Sequence, residues 1–143
     1  MKRTCTMLLA CLVLMTFCGC TARQPNPEAE KAAASAAREW IKLVDARLYQ
    51  QSWQEAAVLF RERVTQDQWR QILMEVREPL GDVQRREILS TQYKTSVKKG
   101  PEGQYVVVEF TVAFSNGKET VETVTPMKEA DGQWRVVGYS MEK

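Results

Sequence analysis

Two dipeptides, Asn116-Gly117 and Asp131-Gly132, constrain this chain more than any other feature in it. Glycine, and Asn or Asp before it, tolerate the positive φ angles that a tight reversal between two strands demands. Each pair is flanked by segments that alternate apolar and polar residues: Gln104 to Phe114, Glu119 to Lys128 and Gln133 to Met141. A period of two marks a strand with one face in a core and the other outside it. Strands joined by such turns must be antiparallel neighbours. Asp82 to Val97 adds a longer, partly exposed strand ahead of them, so the second half of the chain is expected to be a four-stranded meander.

Register follows from loop length. If Asn116-Gly117 is a two-residue loop, Phe114 lies opposite Glu119, Val112 opposite Val121, Phe110 opposite Thr123 and Val108 opposite Thr125. If Asp131-Gly132 is another, Glu129 faces Trp134, Met127 faces Val136 and Thr125 faces Gly138. One face then holds Val106, Val108, Phe110, Val112, Val121, Met127, Trp134 and Val136, and is expected to pack in the core. The other gathers Tyr105, Val107, Val124, Val137 and Tyr139 into an apolar interaction face, for a homodimer or an envelope partner, unless a strand, loop or helix covers it. Pro126 conflicts with an inner strand because it has no N–H for the ladder; a bulge or a free edge resolves the conflict.

Before Gly81 the apolar spacing changes to three and four. Asn26-Pro27-Glu28 supplies a helix cap, a proline at the first helical position and an acid beside it, and Ala37, Trp40, Ile41, Val44 and Leu48 follow on one stripe. Ser52 to Glu55 reads as a capping box for a short second helix containing Ala56, Val58, Leu59 and Phe60. Thr65 to Gln68 is a second box. It opens a third helix with Trp69, Ile72, Leu73, Val76 and Leu80, ending around Pro79 to Gly81. Three helices followed by a four-stranded antiparallel sheet is an α+β plan, and residues 27–143 are expected to form one domain.

The N-terminal residues carry an address. Lys2 and Arg3 precede an apolar run from Met7 to Phe17, the charged and hydrophobic regions of a signal peptide. A permanent membrane helix needs about twenty apolar residues, which this run lacks. All four cysteines, Cys5, Cys11, Cys18 and Cys20, lie here. Phe17-Cys18-Gly19-Cys20 resembles the lipobox of bacterial lipoproteins, with Phe17 where leucine is usual. The resemblance implies acylation of Cys20 and removal of residues 1–19, leaving residues 20–26 as a lipidated cysteine and tether. Cleavage after Ala22 or an uncut leader are the alternatives. Thr21, in place of the aspartate that retains enteric lipoproteins at the inner membrane, implies the outer membrane, facing the periplasm. Without Lys2 and Arg3 the 20 basic residues become 18, equal to the 18 acidic ones. That balance does not favour nucleic acid as a partner.

The chain has no histidine, and an acylated Cys20 leaves no thiol for catalysis or for a metal, so no cofactor is implied. Asp45 and Arg77 flank two helical stripes and are expected to pair across an opening if those helices lie side by side. With Thr123 and Thr125, the polar members of the expected inner face, they make the candidate pocket. A pocket enzyme would have only Asp45, Tyr49 or Glu109 to use, and the register sends Glu109 outward. The tryptophans Trp40, Trp53, Trp69 and Trp134 are read as core.

Gly103-Gln104-Tyr105-Val106-Val107, Glu122 to Pro126 and Asp131 to Val136, taken with Ser52-Trp53, Trp69 and Arg77 to Gly81, resemble the domain of unknown function 4019 family over roughly Ala37 to Tyr139. That family has no established activity, so the resemblance implies no catalytic residue. Its order of helices and then a curved sheet is similar to the cone-shaped nuclear transport factor 2-like superfamily, which includes isomerases and dehydratases. Two expectations follow: a lipid-anchored, non-enzymatic binding or interaction module of the cell envelope, or a small pocket enzyme of the isomerase or dehydratase type using a lone carboxylate.

Overall fold

The computed structural model describes residues 25–142. The expected leader at 1–19, Cys20 and most of the expected 20–26 tether lie outside the described residues. Helix α1, Pro27–Asp45, begins as the sequence dictates: Asn26 Oδ1 accepts from the Ala29 N–H at 3.1 Å, and Glu28 and Glu30 sit at the positive end of the helix dipole. Its buried stripe is largely alanine, Ala29, Ala33, Ala34 and Ala37, followed by Trp40, Ile41 and Val44. Small side chains let the helix lie close over the strands. The helix ends one turn earlier than the stripe suggested, because Arg47 adopts a φ of 59°. The Leu48 N–H then bonds back to Leu43 O at 2.8 Å and the Arg47 N–H to Val44 O at 3.0 Å, a Schellman closure with arginine in the position usually held by glycine. Leu48 falls outside the stripe and is exposed.

Among the described residues four helices precede the sheet, not three. The expected second helix is split into α2, Tyr49–Gln54, and α3, Val58–Arg63. Ser52 is not a cap. It lies inside α2, fully buried, donating to Tyr49 O at 2.9 Å and accepting from the Trp69 indole N–H at 2.9 Å. Ala57 is extended between the two helices and donates its N–H to Val136 O at 2.8 Å, which fastens the link to the sheet edge. Helix α4, Gln66–Val76, has the expected reciprocal cap, Gln68 N–H to Thr65 Oγ1 at 3.3 Å and Thr65 N–H to Gln68 Oε1 at 2.9 Å. Trp69 and Leu73 are buried, whereas Ile72 and Val76 stay exposed. A 3-10 turn, Glu78–Leu80, and Gly81 at φ 80° lead into the strands.

Strands β1 (Val83–Lys94), β2 (Tyr105–Phe114), β3 (Glu119–Lys128) and β4 (Trp134–Met141) form one antiparallel sheet in chain order, the meander expected. The turns differ by one residue. Phe114 N–H bonds Lys118 O at 2.9 Å and Gly117 N–H bonds Phe114 O at 3.0 Å, closing a three-residue loop with Gly117 at φ 84°. Glu129, Gln133 and Gly132 repeat the arrangement, with both bonds at 2.9 Å and Gly132 at φ 81°.

That extra residue slides β3 along β2. Ala113 faces Glu119, Phe110 faces Glu122 and Val108 faces Val124. The core face of β3 is therefore Glu122, Val124 and Pro126, while Val121, Thr123, Thr125 and Met127 turn to the other side. Pro126 is accommodated by a bulge: it faces Val136, while the neighbouring Thr125 faces Gly138 as expected. Val106, Val108, Phe110, Val112 and Val136 pack beneath the helices as expected, joined by Val124. Trp40, Trp69, Phe60 and Tyr139 form a ring cluster, with centroids 5.2 to 6.0 Å apart.

Candidate functional site

Within this core sit four charges. Asp45 is the last residue of α1, Arg77 caps the C-terminus of α4, Arg86 comes from β1 and Glu122 from the middle of β3. Arg77 bonds Asp45 at 2.7 Å and Glu122 at 2.5 Å. Arg86 bonds the same two carboxylates, Asp45 at 2.5 and 2.9 Å and Glu122 at 2.9 Å. The Tyr139 hydroxyl donates to Glu122 at 2.7 Å. Glu122 is fully buried and Arg77 nearly so, with its guanidinium 4.9 Å from the centre of the Phe114 ring. Charge alternates around this closed circuit and sums to zero, the condition under which charges persist in an interior.

The expected pair of Asp45 and Arg77 is thus present, but as half of a larger network. Its electrostatics oppose acid–base work. Burial pushes the Asp45 carboxyl up, yet the hydrogen bonds and charge of Arg86 and then Arg77 outweigh that and hold it below the usual carboxylate range. Burial, then the charge of Glu122, push the Tyr139 phenol well above its ordinary value, so it serves as a neutral donor. The hollow beside Asp45 and Arg77, lined also by Tyr49 and Glu78, holds only about 10 Å³. One water fills that volume; a small-molecule site needs roughly 300 Å³ or more.

A larger space lies on the opposite face of the sheet. Helix α3 and the 95–104 connection between β1 and β2 enclose a groove of about 600 Å³. Its floor is Val107, Thr125, Val137 and Gly138, its walls carry Leu59 and Val97, and its charged groups are Arg63, Lys94 and Lys98. A third hollow, of about 590 Å³, lies between α4 and the ends of β3 and β4.

A family model described as protein of unknown function (DUF4019) matches residues 36–139. The chain belongs to this family. No curated protein matches it. The matched span of the DUF4019 domain runs from the second half of α1 to Tyr139, and so takes in all five members of the buried network and the groove.

The other sequence-predicted residues separate. Thr123 and Thr125 do not join Asp45 and Arg77, because the register of β3 places them across the sheet, where Thr125 lines the groove. The expected interaction face is divided: Val124 is in the core and Tyr139 in the ring cluster, while Tyr105, Val107 and Val137 stay on the outer side. Tyr105 is nevertheless fully buried, roofed by the 95–104 connection, with its hydroxyl on Pro101 O at 2.8 Å. Glu109 is outward, as expected, and accepts from Ser90 Oγ at 2.6 Å. Tyr49 reaches Glu78 at 3.4 Å, too long for a strong bond.

Sequence reasoning missed Glu122, Arg86 and the cations of the groove. A glutamate inside a strand, with Val124 and Pro126 following it on the same face, is the signal that marks Glu122, once the turn is given three residues. Arg86 was hidden by its neighbour Arg85, which alone of the two pairs on the surface, with Glu119 at 3.0 Å.

Proposed function

We propose that this DUF4019 protein is a lipid-tethered binding module of the cell envelope, built on a cone-like domain of the nuclear transport factor 2-like kind and not acting as a pocket enzyme. The observation that carries the reading is the engagement of both carboxylates, Glu122 fully buried and Asp45 partly so, by the two arginines. Asp45 and Glu122 each accept from both arginines, and the cavity beside them has no room for a substrate. A general base must have a free lone pair within reach of a substrate proton. Asp45 and Glu122 each already accept three hydrogen bonds, of the roughly four a carboxylate can take, and the adjoining hollow gives a substrate proton no room to approach. The open groove, by contrast, has cations and an apolar floor, which suit capture of a ligand without chemistry.

The tether rests on Lys2, Arg3, the apolar run to Phe17 and the Gly19-Cys20 pair. Acyl chains on Cys20 would hold the domain at the outer membrane facing the periplasm, since each buried methylene contributes about 0.8 kcal/mol and two chains hold firmly where one does not. Among the described residues no helix is long and apolar enough to cross a membrane.

Expression of the full chain in a bacterium with two membranes, followed by mass spectrometry of the processed protein, tests this. The expected result is an acylated Cys20 at the N-terminus in the outer-membrane fraction, and loss of both acylation and processing in Cys20→Ser. A bare N-terminus beyond residue 20, or a retained leader, would overturn it.

A further inference from the structure

We propose that the groove between α3 and the 95–104 connection binds a free single-chain amphiphile with an anionic head, such as a fatty acid. This names the ligand class of the binding module proposed above and rests on that reading. Three observations lead to it.

The first is charge. Arg63, Lys94 and Lys98 line the groove and no carboxylate does. Unlike the arginines of the core, none of the three has an ion-pair partner among the described residues. Cations gathered in a concave surface without counter-charges focus a field that attracts an anion.

The second is the floor. Val107 and Thr125 belong to the inner strands β2 and β3, each flanked by a strand on both sides, and Val137 and Gly138 to the edge strand β4, with Val137 at its bulge, so the floor is the face of a sheet and not its open edge. An extended acidic peptide laid across that face would find few main-chain partners and would strip water from its own N–H and C=O groups. An acyl chain has no such groups. It needs the aliphatic contact that Leu59, Val97, Val107 and Val137 provide. A flat bilayer surface meets the cations but cannot reach the floor unless a lipid leaves the membrane, which favours a free ligand with one chain.

The third is preorganisation. Arg63 donates from its guanidinium to Lys99 O at 2.7 Å, pinning the end of α3 to the 95–104 connection. Gly103 N–H bonds Thr95 O at 2.9 Å and the Tyr105 hydroxyl bonds Pro101 O at 2.8 Å, so the wall is held across its base and from below. A groove built in advance spends little binding free energy on ordering its walls.

The test uses the chain from residue 20 on, carrying Cys20→Ser and lacking the leader, titrated with cis-parinarate, a fatty acid whose fluorescence rises out of water, and with its uncharged methyl ester. The proposal expects saturable one-to-one binding of the acid and binding of the ester weaker by roughly tenfold or more. Lys94→Glu with Lys98→Glu should weaken the acid by at least as much, while Lys118→Glu, far from the groove, should not. Gly138→Leu gives a second variant. A Cβ at Gly138 meets Thr125 Cβ at 3.5 Å, an ordinary contact, on the side of the sheet where Thr125 lines the groove. The backbone should tolerate it while its side chain fills the floor and abolishes binding. Urea midpoints confirm that each variant is folded. Absence of saturable binding would overturn the proposal, as would equal affinity for acid and ester, or indifference to both the charge reversals and Gly138→Leu. Flotation with phosphatidylglycerol vesicles in place of parinarate binding would overturn it too, in favour of a bilayer surface. In any of these cases the state of Cys20 in the full chain still reports separately on the tethered module.

Discussion

Replacing Glu122 by glutamine keeps the shape of the side chain and removes one negative charge from the interior. Glu122 Oε1 accepts from Arg77 at 2.5 Å and from Tyr139 at 2.7 Å, and Oε2 accepts from Arg86 at 2.9 Å. A glutamine must present an NH₂ to one of these sides, setting donor against donor, and Arg77 and Arg86 are left with Asp45 as their only buried counter-charge. Removing one partner of a buried ion pair costs about 3–5 kcal/mol, much of it the penalty of the stranded charge. That is a large part of the roughly 5–15 kcal/mol available to a domain of this size. Urea unfolding followed by tryptophan fluorescence suits the measurement, because Trp40 and Trp69 lie 6.0 and 5.5 Å from the Tyr139 ring. With a urea slope of about 1–3 kcal/mol per molar, a loss of 3 kcal/mol should lower the midpoint by roughly 1–3 M. Adding Arg86→Met to Glu122→Gln restores one cation to one anion. The double variant should therefore cost about 1–3 kcal/mol less than the sum of the singles. A Glu122→Gln midpoint near that of the parent, or simple additivity in the double, would refute the argument that these charges hold one another in place.

Ser52→Ala should cost about 1–3 kcal/mol, by leaving the buried Trp69 indole N–H without its acceptor, and should shift tryptophan emission in the folded state. Thr65→Ala removes the true cap of α4 and should cost about 1 kcal/mol with emission unchanged. The same urea titrations with emission spectra check both. Stability should also fall in acid. The Asp45 carboxyl is held below its ordinary value in the fold, so as pH drops the unfolded chain takes up this proton first. The contribution is whole above the unfolded value of about 3.9 and is lost as pH falls through the lower, folded one. Urea midpoints measured downward from about pH 5 should show this, and Asp45→Asn should flatten that part of the profile.

The element plan was legible because periodicity reports burial directly. The alternation in β2, the cap at Thr65 and the proline and asparagine before α1 each name a local structure with a mechanism. The split of α2 from α3 was not legible. Ser52 and Glu55 satisfy the spacing of a capping box, but the hydroxyl is claimed by an indole seventeen residues away, which no local rule sees. Asp45 and Arg77 could be paired from the flanks of two helical stripes, since helix geometry fixes those flanks. Glu122 could not, because its face depended on a loop whose length two residues of glycine chemistry leave undetermined.

Loop length and buried charge are in this sense one specification. Two-residue turns would carry Glu122 to the outer face of β3 and bring Thr123 beneath the helices. Arg77 and Arg86 would then share Asp45 alone, a stranded cation of the kind that costs about 3–5 kcal/mol. A slip of one residue in an apolar sheet is penalised by exposed methyl groups, and here the alternation of β3 resists it weakly, since Val121 and Met127 on one face nearly balance Val124 and Pro126 on the other. The discriminating term is electrostatic. Gly117 and Gly132, each at a φ that other residues resist, permit the three-residue loops, and the pairing of Glu122 with two arginines selects them. The network therefore acts as a register lock on the sheet whose outer face forms the groove floor. Thr125 faces outward there because Glu122, three residues earlier on the strand, faces in.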